Sequence, residues 1–318
     1  MITHAATSRR PRASRPVGVA LAFATAVVSG VAVYVNGYAV KHFDDATVYT
    51  TAKNAVAGAL LLLLALAVVP WRGAERAWAA PVARPTARRW AALVVVAVVG
   101  GSVPFVLFFE GLARAEATQA AFIHKTLVVW VALLAVPLLR DRLGWPQVLA
   151  VALLLAGQAW LVGETGTIAF GTGEAMILAA TLLWAVEVVL VKRLLDVLPP
   201  RTLAAARMGL GTVVLVGWVV ATGKWDSLTA LGAEQWQWAI LTGLLLTAYV
   251  ATWYSALALA QAVDVTAVLV FGAVVTALLA GASDGAPVDV VGLGLVTAGA
   301  ALVAVAALRS PHGEPVHP

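Results

Sequence analysis

Ionisable side chains inside apolar stretches are the residues of this sequence that are best placed to do chemistry. Within the 318 residues they are Lys53, Glu110, His124, Lys125, Glu187 and Arg207. A charge at the centre of a bilayer costs roughly 2.5–3.5 kcal/mol on insertion scales, so it is retained where it binds a ligand, carries a proton or forms an ion pair. A lysine in such a place predicts anion binding, and a carboxylate or an imidazole predicts reversible protonation.

Lys125 is the first candidate because it falls near the middle of its apolar stretch. At a helical rise of about 1.5 Å per residue, Lys125 and its neighbour His124 lie about 10–12 Å from the start of the stretch. Lys125 is either an anion anchor that pairs with a glutamate in one conformation, or half of a permanent ion pair with Glu110 or Glu187. His124 is either a proton carrier or a hydrogen-bonded structural histidine.

The remaining charged candidates have competing structural roles. Glu187 is a candidate proton carrier, and the alternative is a salt bridge to Lys192 or to another helix. Glu110 ends its apolar stretch near a membrane surface. Lys53 is balanced between a binding and a structural role, whereas Arg207 is expected at the membrane interface, where its long side chain reaches water.

Aromatic residues at depth are candidates for the wall of a binding cavity. They are Trp130, Trp184, Tyr249, Trp253 and Tyr254. Their rings offer stacking and cation–π contacts, although apolar packing is their commoner use. Trp184 is the best placed because it shares a helix face with Glu187 at a spacing of three residues.

The composition identifies an integral membrane protein. Hydrophobic residues make up 62% of the chain, charged residues 12%, and the mean hydropathy is +0.92. This excludes disordered, fibrous and nucleic-acid-binding classes, despite the basic pI near 9.8. The absence of cysteine and the scatter of five histidines predict no metal site. Because no phosphate-binding loop, nucleophile–base pair or paired acidic motif occurs, we expect no cofactor and no enzymatic activity.

Ten apolar stretches are long enough to predict transmembrane helices in an all-α protein. They cover residues 17–38, 46–69, 90–111, 117–138, 145–162, 173–193, 202–221, 236–257, 263–281 and 288–307. With the N-terminus inside, 15 of the 21 basic residues fall on the inner side and three in outer loops. This distribution predicts a multi-pass protein of the cytoplasmic membrane with both termini inside. A cleaved signal peptide is the less favoured alternative for the first stretch.

Two halves of the chain match in layout and predict an internal repeat. When the two halves are aligned at an offset of 151 residues, Asn36 is matched with Glu187. Lys53 in the second stretch of the first half corresponds to Arg207 in the second half. The predicted domains are a basic tail (1–16), a five-helix repeat (17–162), an outer linker (163–172), a second repeat (173–308) and a tail (309–318). Since five is odd, the halves have opposite orientations, a construction that secondary transporters use.

The layout resembles the EamA-type branch of the drug/metabolite transporter superfamily. Three stretches carry the resemblance: Asn36–Lys41, Phe108–Ala113, and the run from Arg140 to Gly157. It implies proton-coupled or facilitated movement of small metabolites or drugs, usually outward. The sequence departs from the family pattern where a proline is usual, at Ile123–Thr126 and Val270–Ala273, and this places the chain in a divergent subgroup.

These observations predict a secondary transporter that works by alternating access, with export as the expected direction and protons as a candidate coupling ion. The expected substrate is amino-acid-like or anionic, and the alternative is a membrane enzyme or accessory protein acting on lipid. The candidate substrate-binding residues are Lys125, Glu187, Trp184, Glu110, His124, Lys53, Asn36, Trp253 and Tyr249. Glycines in the third stretch, Gly100 and Gly101, predict a bend, and those in the tenth predict close helix contact, either within the protomer or in a homodimer.

Overall fold

The computed structural model describes residues 14–67, 86–115, 117–141, 143–162, 170–285 and 289–309. All regular secondary structure in these ranges is helical. The predicted C-terminal tail beyond Arg309, most of the basic N-terminal tail and most of the linker 163–172 lie outside the described residues.

Seven α-helices lie in the described residues of the first half of the chain. They are α1 (Ser14–Ala39), α2 (Ala46–Leu66), α3 (Ala87–Val96), α4 (Val103–Leu112), α5 (Ala117–Lys125), α6 (Leu127–Leu139) and α7 (Trp145–Val162). A short 3₁₀ turn, Val40–His42, extends α1, and a π-helical segment, Ala97–Ser102, joins α3 to α4.

Seven more α-helices lie in residues 170–285 and 289–309 of the second half. They are α8 (Thr172–Leu194), α9 (Pro200–Ala221), α10 (Trp225–Thr229), α11 (Ala233–Leu259), α12 (Ala262–Leu269), α13 (Gly272–Asp284) and α14 (Val290–Arg309). In the described part of the chain, nine helical stretches are long and apolar enough to cross a membrane, and Trp145–Trp160 is apolar but shorter. The chain is therefore an all-helical, multi-pass membrane protein.

Three stretches that the sequence predicts as single helices are interrupted. The third contains the π-helical segment, the fourth breaks at Thr126, and the ninth breaks at Val270–Phe271. At Thr126 the hydroxyl donates a hydrogen bond to the Ile123 carbonyl at 2.6 Å. A side chain that occupies a backbone acceptor in this way competes with regular helical pairing.

Helix ends follow local side-chain and backbone chemistry. The Asp45 carboxylate accepts hydrogen bonds from the backbone N–H groups of Thr47 and Val48, at 2.9 and 3.0 Å, and begins α2. Arg140 adopts a left-handed conformation (φ 57°) and ends α6. The next residue, Asp141, accepts a hydrogen bond from the N–H of Ala262 at 3.1 Å, so it fixes the start of α12.

Close helix pairs build the bundle. The main pairs are α1 with α11, α4 with α8, α2 with α9, and α7 with α14. Small residues permit these contacts: a Cβ on Gly299 of α14 would lie 2.8 Å from the Leu154 side chain of α7. Gly299 is thus accounted for by packing within the protomer, one of the two roles predicted from the sequence.

Candidate functional site

A cavity of about 160 Å³ lies among α1, α2, α4, α5, α6, α8, α9 and α11. Seven of the nine side chains that the sequence singles out line it: Asn36, Lys53, His124, Trp184, Glu187, Tyr249 and Trp253. These residues come from five separate helices, so the fold collects groups that are far apart in the sequence.

On one side of the cavity, Lys53 is held by neutral groups. Its Nζ donates to Asn36 Oδ1 at 3.0 Å and lies 4.1 Å from the centroid of the Phe109 ring and 4.7 Å from that of Tyr49. The Tyr49 hydroxyl donates to the same Asn36 oxygen. Lys53 is only 4% exposed, and no carboxylate among the described residues forms an ion pair with it.

On the other side, Glu187 forms a buried ion pair with Arg207. Arg207 Nε lies 2.9 Å from Glu187 Oε1, and Nη2 donates to Oε2 at 3.3 Å. The Tyr254 hydroxyl donates to Oε1. The side chain of Glu187 is 2% exposed and that of Arg207 is 5% exposed. The expectation that Arg207 reaches the membrane interface is therefore wrong, because its guanidinium turns inward to a carboxylate on another helix.

The π-helical segment supports this ion pair. Trp184 Nε1 donates to the Gly100 carbonyl at 3.1 Å, and a Cβ on Gly100 would lie 2.3 Å from Glu187 Cδ. Only glycine lets Glu187 approach so closely. The predicted bend at Gly100–Gly101 is thus a widened helical turn, a feature that often occurs at functional sites.

Aromatic rings form most of the remaining wall. His124 packs edge-on against Trp184 and Phe108, with ring centroids 5.0 and 5.2 Å apart. Tyr249 and Trp253 stack with an angle of 11° between their planes. The buried Nδ1 atom of His124 has no hydrogen-bond partner among the described residues. The cavity therefore combines apolar ring surface with an imidazole nitrogen that can serve a ligand.

Lys125 and Glu110 do not line the cavity. Lys125 ends α5, beside His124 but on a different side of the helix. Glu110 interacts instead with the Thr47 hydroxyl at 2.8 Å, with Arg114 at 2.8 Å and with Lys224 at 3.7 Å. Neither of the ion pairs that we considered for Lys125 forms, because both glutamates have other partners.

The phenylalanines of α4 are wall residues that were not predicted from the sequence. Phe105, Phe108 and Phe109 all line the cavity. Their spacing of three and four residues places them on one helix face. Tyr49 and Lys53 are likewise four residues apart and share one face of α2. Helical spacing could therefore have predicted that the phenylalanines lie together and that Tyr49 lies beside Lys53.

Polar contacts hold the bundle together beyond both ends of the cavity. Near the start of α1, Arg15 Nη2 lies 3.2 Å from Asp264 Oδ2, and Lys192 Nζ donates to the carbonyls of Leu257 and Ala260. Near the opposite end, Lys224 Nζ lies 2.6 Å from Asp45 Oδ2. In this arrangement, helices of both halves are tied together at each end.

The charges at these ends shift the pKa values of the carboxyl groups outside the spans. Burial pushes the pKa of Asp45 upward, but the hydrogen bond and charge of Lys224 and the N–H groups of Val48 and Thr47 hold it below its ordinary value. Burial raises the pKa of Asp141, against the opposing effect of Lys192 and Arg15. Asp45 is therefore the better ionised of the two at neutral pH.

Among the described residues, no three histidine, aspartate or glutamate side chains are grouped so that they could hold a metal ion. What the cavity offers instead is a lysine held by neutral partners, a neutralised carboxylate and aromatic surface. Such groups bind and orient a small molecule.

Sequence comparison places this arrangement among membrane transporters. The chain matches the EamA-like transporter family over residues 16–163 and 171–308. An uncharacterized transporter of Archaeoglobus fulgidus is 28% identical over 157 residues, which are 48% of this chain and 53% of that protein. An uncharacterized transporter of Synechocystis sp. is 24% identical over 170 residues, 51% of this chain and 49% of that protein. The chain thus spans about half the length of these curated relatives, and both are named transporters rather than enzymes.

Structural comparison supports the same fold. A solved crystal structure of a protein superimposes with a TM-score of 0.74, covering 92% of this chain and 99% of the other at 18% identity. At that identity the likeness concerns the helical architecture alone.

Proposed function

Because the chain belongs to the EamA-like transporter family, we propose that it is a secondary transporter that carries a small metabolite or drug through the cavity between its helices. Amino-acid-like and anionic solutes are the favoured substrates, the cytoplasmic membrane is the expected location, and export is the expected direction. The cavity walls carry the proposal: Lys53 with Asn36 on one side and Arg207 with Glu187 on the other are corresponding pairs of the two half-chains.

We further propose ten spans in two inverted repeats, with both termini inside. The nine long helical stretches are then joined by α7, which is the fifth span along the chain. Helix contacts support this arrangement. Counting spans along the chain, the contact of α1 with α11 corresponds to that of α8 with α4, and the contact of α1 with α13 corresponds to that of α8 with α6. The helix breaks at Thr126 and Phe271 also correspond, at the offset of 145 residues that relates Ala117 to Ala262. Two equivalent halves can exchange conformations, which is the basis of alternating access.

Glu187 is the proposed proton carrier if protons drive transport. In the present conformation Arg207 and Tyr254 neutralise and hydrogen-bond its carboxylate. Separation of the ion pair during the cycle would leave a carboxylate in an apolar cavity, where protonation becomes favourable. The alternative, an enzyme acting on lipid, gains no support from the comparisons, since both curated relatives are named transporters.

An efflux screen tests the proposal. Proteoliposomes loaded with a panel of amino acids, organic acids and amines are diluted, and the solutes that remain inside are quantified by mass spectrometry. We expect at least one solute to leave faster than from protein-free vesicles, with saturable kinetics, and an imposed pH gradient to change the rate. Trp184→Ala should slow this efflux at least tenfold, whereas Trp145→Ala, at an exposed tryptophan of α7, should not. Efflux equal to that of empty vesicles for every solute would contradict the proposal.

A further inference from the structure

Besides one closed ion pair, the described walls of the cavity hold a lysine that has no acidic partner. The charges of Glu187 and Arg207 cancel, since the two groups are in direct contact at 2.9 Å. Lys53 has only an amide oxygen and two ring faces around it. An ammonium group removed from water without a counter-ion is costly, so an incoming anion gains more from this site than a neutral solute does.

The same charges disfavour a solute that carries an ammonium group. The carboxylate that could receive an ammonium ion is Glu187, and its oxygens already accept from Arg207 and Tyr254. A zwitterionic amino acid would therefore place its positive charge beside Lys53 or Arg207 without a free acidic partner. This selects against amino acids and cationic drugs.

The size and lining of the cavity point to a flat apolar body. Its volume of about 160 Å³ is close to the roughly 150 Å³ of a buried protein cavity that accepts benzene. Phe105, Phe108, Trp184 and Trp253 supply ring edges and faces around it, and aromatic pairs in such arrangements add stabilisation beyond simple burial. The unpartnered Nδ1 of His124 provides a further polar contact on the same wall.

We propose that the cavity binds a small aromatic carboxylate that lacks an ammonium group, with Lys53 holding the carboxylate and the aromatic wall holding the ring. This inference rests on the proposed function, because it names the solute class that the same cavity would carry. It narrows the substrate to anions and removes amino acids from the favoured set.

A series of compounds that share one phenyl ring and differ in charge tests the class directly, with benzoate and benzamide as the pair of nearly identical shape. Benzoate, benzamide, benzylamine and phenylalanine are titrated at pH 7.5 onto the purified protein in nanodiscs, with tryptophan fluorescence and thermal stability as readouts. We expect benzoate to bind at least tenfold more tightly than benzamide, and benzylamine and phenylalanine to bind more weakly still. Equal affinity for benzoate and benzamide, or preference for benzylamine or phenylalanine, would overturn the inference.

Substitution of Lys53 tests whether this residue causes the preference for benzoate over benzamide. Lys53→Met should retain benzamide binding and lose the preference for benzoate, whereas Lys125→Met, at a lysine that does not line the cavity, should keep that preference. A preserved preference in Lys53→Met would overturn the role of Lys53. The comparison of benzoate with benzamide in the unaltered protein still tests the class if Lys53→Met fails to fold.

The efflux screen separates this inference from the proposed function. If benzoate does not bind but another solute leaves the vesicles, the solute class is wrong and the transporter proposal stands. If benzoate binds through Lys53 but no solute leaves, the binding class stands and the transporter proposal fails.

Discussion

Glu187 and Arg207 stabilise each other inside the helix bundle, although neither residue reveals its partner in the sequence. They lie 20 positions apart on different helices, and the contact depends on how α8 and α9 pack against the π-helical segment. Both residues were predicted from the sequence to lie within apolar stretches. Arg207 was nevertheless expected at the membrane interface, because an arginine near the end of an apolar stretch usually reaches water with its long side chain. Burial of the pair is a property of the packing and not of either residue alone.

A double-mutant cycle tests the pair. Glu187→Gln and Arg207→Gln should each lower the unfolding free energy by about 3–5 kcal/mol, since each leaves a buried charge without its counter-ion. The double variant should lose clearly less than the sum, as measured by unfolding in mixed detergent micelles. Lys125→Gln combined with Glu187→Gln is the control and should be additive. Additive losses for Glu187→Gln with Arg207→Gln would show that the two charges do not stabilise each other.

Lys125 illustrates the limit of sequence reasoning at the residue scale. His124 and Lys125 are adjacent, so their side chains point about 100° apart on a helix and only one of them can face a given cavity. The sequence favoured Lys125 by its depth and charge, but His124 lines the cavity. The choice depends on the rotation of α5 about its axis. The sequence of this nine-residue helix leaves that rotation undetermined because polar residues occur on more than one of its sides.

Interrupted helices position the site at the scale of elements. Gly100 and Gly101 predicted a bend in the third span, and the structure places a π-helical segment there, followed by Pro104 in the first turn of α4. A proline at that position loses no helical hydrogen bond. No proline occurs at Thr126 or at Val270–Phe271 that would have predicted a helix break. The fourth and ninth spans were therefore predicted as continuous helices.

The close approach of the π-helical segment to α9 yields a second prediction. A Cβ on Gly101 would lie 2.0 Å from the backbone oxygen of Arg207, which no side-chain rotation can relieve. Gly101→Ala should therefore move α9 away from the segment, lower the melting temperature and weaken ligand binding at least tenfold. Gly217→Ala is the matched control, because nothing lies within 4 Å of its Cβ position, and it should be neutral or slightly stabilising. Equal melting temperatures for the two variants would contradict the assigned packing.

The whole molecule depends on contacts between the two halves of the chain. Apolar length predicted the position of every described span, since a bilayer core sets a minimum helix length. Which helices meet was not predictable, because their surfaces are apolar on all sides and small residues occur in nearly every span. The same holds for the end contacts, where Lys224 reaches Asp45 and Arg15 reaches Asp264 across long sequence separations. These contacts tie the two halves of the chain together near both ends of the bundle. The proposed alternating access requires each of them to open in turn.

Sidedness of access to the cavity tests the central claim most directly. The chain has no cysteine, so Ser29→Cys introduces a single thiol in the cavity wall, and Asp226→Cys provides a control in the short helix α10 at the Lys224 end. Each is labelled in oriented vesicles with a membrane-impermeant thiol reagent from either side. We predict that Ser29→Cys reacts from both sides of the membrane and Asp226→Cys from one side.

Variants of the end contacts should shift this labelling. Adding Lys224→Gln should speed the labelling of Ser29→Cys from the side on which Asp226→Cys reacts and slow it from the opposite side. Asp264→Asn should do the reverse, because the two openings compete for one population of molecules. Labelling of Ser29→Cys from a single side in all variants, or faster labelling from one side with no loss from the other, would contradict alternating access through this cavity.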